Sequence, residues 1–383
     1  MMSSEGQCSQ SLWTGVSTCA ISAFVTWLAL GFDPRSGLLE HILQLVFRLG
    51  AIGDTCSLDP GDPATEAKIR RRDKIPKTEI LTRILCWWYG FKHDTMSVKR
   101  SGGGDEMILI HILRPTGKQN APAPLPLVIL FHGGGMVEGS AMDVGLPLLG
   151  ILGLFSKRAV VASVEYRLAP RHKFPKGIED CIDATTALFH AAEDLGCDKD
   201  NISIAGLSAG GYCAAVVHRH CAQRKLKLRY CAMFAPMLRY EPTSFSWVQH
   251  ADQFSLLTKK MIWYWQCYCD PSDLPDPRCS PLAAQDLGEL GRELAACLVA
   301  TNTLDILEGE GTEYARLLAA AGVEVQHFRV HGGHFTGFVS DWQGRRAPLA
   351  AWERAVFQVA QLEDITAQPE HARSTLPAKR HAA

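Results

Sequence analysis

From about residue 105 onward, short apolar runs alternate with longer stretches of helical spacing. Residues 107–113, 126–131, 159–165, 201–206, 230–234, 294–300 and 323–330 read as strands. Most are continuously apolar rather than alternating, which is the pattern of strands covered on both faces. Helices are predicted between them near 177–195, 209–225, 253–269, 309–321 and 347–362. Such alternation predicts a mostly parallel central sheet with helices on both faces. Two regions fall outside the rhythm. Residues 1–100 lean to helix and precede the sheet. A segment at about 240–275 interrupts it with Trp247, Trp263, Tyr264 and Trp265, aromatics that fit a helical cap over a pocket or plain helix packing. The expected organisation is therefore an N-terminal helical or cap region over 1–100, a catalytic domain over 101–363 with the cap insertion inside it, and a polar, disordered tail over 364–383.

The N-terminus is ambiguous. Residues 6–32 carry no charged side chain, and the stretch 12–32 is about long enough to span a bilayer. Thr14, Thr18, Ser22 and Thr26 form one stripe, and Val16, Ala20, Phe24 and Leu28 another. That is an amphipathic helix with a mild polar face, suited to docking on the body of the protein or to a membrane contact. The only early charge is Glu5, so a secretory leader with a basic start is a poor fit.

Charge narrows the function. With 39 Lys plus Arg against 40 Asp plus Glu, the net charge of −1 gives no basic surplus for a nucleic-acid binder. The 13 cysteines are odd in number and scattered, which favours a reducing, intracellular, cytoplasmic setting over a disulfide framework. Cys267 and Cys269 are the one close pair and lack partners at zinc spacing, so no metal is expected.

Two motifs carry candidate chemistry. Gly206-Leu207-Ser208-Ala209-Gly210 lies directly after a predicted strand and before a predicted helix. In that context G-x-S-x-G places a serine on a sharp turn, its hydroxyl exposed and its flanking glycines avoiding Cβ clashes. A small-residue turn packed for space is the plainer alternative. His132-Gly133-Gly134-Gly135 follows another strand. Its N–H groups could stabilise negative charge on a carbonyl oxygen, with the N–H of Ala209 as a further donor. The loop lacks the G-x-G-x-x-G spacing and the Lys-Ser/Thr that a phosphate cradle needs. His132 reads as a loop organiser rather than a base.

These motifs, in order with two others, resemble the hormone-sensitive-lipase-like family of α/β-hydrolases, which includes arylacetamide deacetylase-type esterases. The others are Glu165-Tyr166-Arg167-Leu168-Ala169-Pro170 and the segment Asp276-Pro277-Arg278-Cys279-Ser280-Pro281-Leu282. The likeness extends over residues 126–338. It implies the α/β-hydrolase fold, Ser208 as nucleophile, an acid after a late strand and a histidine base after the last. Asp305 matches the acid position; Glu308 is a weaker substitute, and a helix cap is the structural alternative for Asp305. The final stretch offers His331 and His334. Aligned on Gly337-Phe338 the family's histidine falls on Thr336, whereas counting forward from Asp305 lands near His334, which is preferred with a small local gap. Leu207 also departs from the family, which often carries an acidic residue before the nucleophile.

The expected function is serine carboxylic-ester hydrolysis on small to medium apolar esters with short acyl groups. Ser208, Asp305 and His334 are the catalytic residues, Gly133, Gly134, Gly135 and Ala209 the oxyanion hole, and Met136 and Tyr212 part of the substrate pocket. No cofactor is implied. A small-molecule ester is the expected partner, with no nucleic acid; membrane contact through 12–32 and a homodimer stay open. Two alternatives remain: an acyltransferase or cyclase of a biosynthetic pathway on the same fold, and a ligand-binding member that has lost its histidine, as plant gibberellin receptors have.

Overall fold

The structure, a computed structural model, describes residues 90–102, 106–116, 124–142, 158–251 and 256–334, with Trp87, Pro348, Ala351, Glu353, Ala355 and Val356. Eight strands form one sheet: β1 (Phe91–Lys99), β2 (Met107–Pro115), β3 (Leu125–Phe131), β4 (Val160–Glu165), β5 (Cys197–Leu207), β6 (Tyr230–Phe234), β7 (Cys297–Asn302) and β8 (Val325–Val330). Their order across the sheet is β1-β2-β4-β3-β5-β6-β7-β8. Pairing is antiparallel for β1 with β2 and for β2 with β4, and parallel across the rest. The helices are α1 (Lys176–Ala191), α2 (Ala209–Arg224), α3 (Phe245–Gln249), α4 (Thr258–Tyr268), α5 (Leu287–Leu290) and α6 (Glu308–Ala320).

The apolar runs follow from burial on both faces. In β3, Leu127, Ile129 and Phe131 enter the larger core with side chains of α1, α2, α4 and α6. Val128 and Leu130 enter a second core on the opposite face, where Ala351 and Val356 also pack. Strands β4, β6 and β7 divide their residues in the same way. Each such branched side chain contributes about 2 kcal/mol on leaving water, so neither face of these strands tolerates a polar residue readily.

The first element corrects the helical reading of residues 1–100 over its last part, 91–99, while residues 1–86 lie outside the described residues. Phe91–Lys99 is an edge strand paired along its whole length with β2. Lys92, Thr95, Ser97 and Lys99 are exposed, His93, Asp94 and Met96 half-buried, and Phe91 and Val98 buried, because an edge strand keeps much of itself in water. The insertion near 240–275 holds α3 and α4, with Trp247, Trp263, Tyr264 and Trp265 buried against the larger core. The segment 12–32 and the tail 364–383 lie outside the described residues, as does most of 347–362. Among the described residues, no helix is long and apolar enough to cross a membrane, and the nine described cysteines are buried free thiols.

Candidate active site

In a parallel sheet every strand delivers its following loop to the same end. The loops after β3, β5, β7 and β8 carry His132 to Gly135, Ser208, Asp305 and His334. Phe131 at the end of β3 is in register with Gly206 near the end of β5, and Asn302 at the end of β7 with Val330 at the end of β8. The glycine loop, Ser208, Asp305 and His334 therefore all lie at the C-terminal end of the parallel strands.

Ser208 occupies a turn so tight that its backbone is left-handed (φ 59°, ψ −119°) before α2 begins at Ala209. A non-glycine residue in this region is strained and has to be held by its surroundings. Its N–H donates to Phe234 O (2.9 Å), and its carbonyl accepts from Tyr212 N (3.0 Å) and Met237 N (3.2 Å). The glycine at 210 explains the motif sterically: a methyl there would stand 2.0 Å from Phe131 O. Ala209, the first residue of α2, is fully buried beside the serine.

Asp305 and His334 meet directly. His334 Nδ1–H donates to Asp305 Oδ2 at 2.7 Å, and both side chains are buried. The other oxygen, Oδ1, accepts from Leu307 N (3.1 Å) in a local Asx-type bond, while the cap position of α6 is taken by Leu307 and not by Asp305. With the carboxylate accepting at Nδ1, the neutral imidazole keeps its lone pair on Nε2. The two loops are stitched together by Thr303 N to Val330 O (3.0 Å) and Leu304 N to Gly332 O (2.9 Å). Asn302, which the sequence reading did not single out, donates from Nδ2 to the carbonyl of His334 at 3.0 Å. An amide side chain just after the apolar run 294–300 was the available signal. The competing residues lie elsewhere. His331 is exposed and paired with Thr303 Oγ1 (3.1 Å), and Glu308 accepts from Arg329 Nε (2.9 Å).

The glycine loop abuts the serine. A methyl on Gly133 would come 3.0 Å from Leu207 O and 3.6 Å from Ser208 Cβ. Gly134 (φ 113°), Gly135 (φ 62°) and Met136 (φ 63°) turn the chain through left-handed backbone that favours glycine. His132 stacks on Tyr166 with ring centres 4.1 Å apart, and its Nδ1 lies 2.8 Å from Gly133 O. Burial depresses its pKa to about 4, which keeps the ring neutral and suits an organiser of the loop.

The Glu165 to Pro170 block has a use that its sequence did not disclose. Tyr166 OH donates to His132 O (2.6 Å), Ala169 N to Met136 O (2.9 Å), and Glu165 accepts from Ala141 N (2.8 Å). It is a brace for the glycine loop. Met136 and Tyr212, expected to line a pocket, are instead fully buried. The Met136 sulfur packs 3.6 Å from Cys213 Sγ, and the Tyr212 hydroxyl is bonded to Tyr268 OH (2.7 Å) and to the carbonyl of Arg278.

A family profile described as alpha/beta hydrolase fold matches residues 128–339, which contain the glycine loop, the serine elbow and the Asp305–His334 pair. The chain belongs to the α/β-hydrolases, in their hormone-sensitive-lipase-like branch. Among similar α/β-hydrolases, an arylesterase of Saccharolobus solfataricus is 35% identical over 208 residues, 54% of this chain and 66% of its own length. An ethyl acetate hydrolase of Pseudomonas putida is 32% identical over 231 residues, covering 57% and 67%. The match thus spans about two thirds of these relatives. A hyperthermophilic esterase from the archaeon Pyrobaculum calidifontis superposes with a TM-score of 0.67 at 28% identity, over 83% of this chain and 98% of that one.

Proposed function

We propose that this α/β-hydrolase is a serine carboxylic-ester hydrolase of small to medium apolar esters with short acyl groups. The observation that carries the reading is the buried Asp305–His334 hydrogen bond, at the same end of the parallel strands as the strained Ser208 elbow. His334 Nε2 takes the Ser208 Oγ proton as Oγ attacks the ester carbonyl. Asp305 fixes the tautomer and stabilises the imidazolium that results. The carbonyl oxygen becomes an oxyanion held by N–H groups of residues 133–135 and of Ala209, each donor of this kind being worth about 3 kcal/mol. The tetrahedral species collapses, His334 returns the proton to the departing alcohol, and Ser208 keeps the acyl group. Water then repeats the sequence and releases the acid.

The esterase relatives and the solved esterase of the same fold support the reaction class. The ethyl acetate hydrolase supports a preference for short acyl groups by analogy. The Asp305–His334 bond favours an enzyme over a binding protein without a base. Hydrolysis of p-nitrophenyl acetate, butyrate and octanoate tests the proposal. Turnover of the shorter esters is expected, with Ser208→Ala and His334→Ala each lowering kcat by about 10⁴-fold or more. Activity that survives His334→Ala would overturn the assigned base; a wild type without turnover would overturn the reaction.

A further inference from the structure

The loop from His132 to Gly139 contains four glycines, and a backbone this permissive needs outside support to hold one shape. The β4 block braces one flank, as described above. The other flank is held by α4, through contacts that acyl transfer itself does not use. The Tyr264 ring lies flat against the backbone of Gly135, where a Cβ would stand 2.3 Å from Tyr264 Cγ. The Tyr264 hydroxyl donates to Glu138 Oε2 at 2.9 Å, and Lys260 Nζ donates to Glu138 Oε1 at 2.9 Å. Lys260 and Tyr264 are four apart and so share one face of α4. Lys260 Nζ also sits 4.4 Å from the Trp263 ring centre and 4.7 Å from that of Tyr264, a cation–π arrangement that limits its freedom.

The carboxylate is thus gripped at both oxygens, and the residue that carries it belongs to the glycine turn. Glu138 N donates to Gly134 O at 2.9 Å, and Val137 N to the same carbonyl at 3.0 Å. Fixing the Glu138 side chain therefore fixes the peptide of Gly134, in the middle of the proposed donor set. The Lys260 and Glu138 side chains are only 18% and 24% exposed, so water screens this pair less than a surface ion pair.

We propose that Tyr264 and Lys260 are positioning residues for the oxyanion donors, acting through the Glu138 carboxylate and the face of Gly135. The inference rests on the esterase reading of the same site. Preorganised donors help only if they stand where charge develops, and displacement by an ångström costs much of the benefit. Loosening the clamp should therefore slow the chemical step and leave ground-state binding nearly unchanged.

Tyr264→Phe and Glu138→Ala are each expected to lower kcat for p-nitrophenyl butyrate about tenfold, with KM within about twofold of wild type. A short-chain trifluoromethyl ketone, which forms a tetrahedral adduct with the serine, should bind more weakly by the same factor as kcat falls. Glu138→Gln retains an acceptor for the Tyr264 hydroxyl and should recover part of the rate. The double variant Tyr264→Phe/Glu138→Ala should lose little more than either single one. Folded variants with wild-type kcat and wild-type affinity for the ketone would overturn the proposal, even if their melting temperatures fell. Should either variant fail to fold, Lys260→Met and Lys260→Arg provide the same comparison, with loss expected in the first and partial recovery in the second. Diethyl p-nitrophenyl phosphate labelling of Ser208 separates the two readings. A wild type that is neither labelled nor active overturns the esterase reading and this inference with it. A wild type that reacts while the variants match it overturns the clamp alone.

Discussion

Glu310 lies fully buried five residues beyond Asp305, its carboxyl held by N–H donors rather than by water. Leu238 N donates to Oε1 at 2.6 Å, Trp247 Nε1 to Oε2 at 3.3 Å, and the Arg239 N–H adds a third bond. Burial raises its pKa from 4.5 to about 8; the donors oppose the rise and the nearby Asp305 adds to it. The folded chain therefore binds a proton that the unfolded chain has released between these values. The stability this group contributes is full below about pH 4.5 and is lost as pH climbs through 8. His132 acts in the opposite sense, its contribution being present above 6.5 and lost as pH falls through about 4. Between pH 6.5 and 8 only the first of these two slopes operates. Denaturant unfolding over that window should show wild type losing stability with rising pH and Glu310→Gln losing less. Equal slopes would mean that the carboxyl is already ionised throughout. Glu310 falls in the helix predicted near 309–321, but nothing in a linear sequence reveals that a glutamate there will be buried.

At the scale of the element, α2 is defined by what it cannot accommodate. Its first turn leaves the strained serine and crosses the end of β3 so closely that Gly210 has no room for a side chain. Gly210→Ala would press a methyl to 2.0 Å from Phe131 O and 2.7 Å from His132 O, backbone atoms that can move only with the strand and the glycine loop. We expect a loss of about 3 kcal/mol together with nearly all esterase activity. Gly288→Ala in α5 meets nothing within 4 Å and should be neutral or slightly stabilising. Melting temperature and turnover of the pair check both statements. This element was legible in advance because G-x-S-x-G between a strand and a helix has a steric cause visible in residue type alone. The grip of α4 on the glycine loop was not, since Lys260 and Glu138 lie 122 residues apart and neither type announces the other.

Across the whole molecule, the central strands were readable because burial on two faces writes an uninterrupted apolar run. Strand β1 escaped because, at the edge of the sheet with much of its length in water, it carries no such run and was read with the helix-leaning residues before it. Its attachment is equally non-local. Arg100, just after β1, donates through Nε to Asp180 Oδ1 at 2.9 Å. Arg167 of the β4 block reaches the same carboxylate through Nη2 to Oδ1 (2.8 Å), Nε to Oδ2 (2.9 Å) and its backbone N–H to Oδ2 (3.0 Å). Asp180 is fully buried on α1, so one side chain ties the antiparallel edge, the loop brace and the first helix together. Asp180→Ala would strip the counter-charge from Arg167, only 17% exposed, and leave Arg100, 10% exposed, with the exposed carboxylate of Glu106 at 3.2 Å. We expect destabilisation of about 4 kcal/mol, read by urea unfolding, whereas a surface change such as Lys199→Ala should fall within about 0.5 kcal/mol.

The stitching of the β7 and β8 loops has a broader consequence. Asp305 and His334, the proposed acid and base, follow adjacent strands and are bound to each other through main chain, Asn302 and their own side chains. Proton handling is thereby confined to one margin of the scaffold, and the segments that would choose an ester are attached at other places. Lineages built on such a plan can exchange their recognition surfaces without retuning the chemistry. The same division tells an engineer which half of the protein to leave untouched when redirecting it to a new substrate.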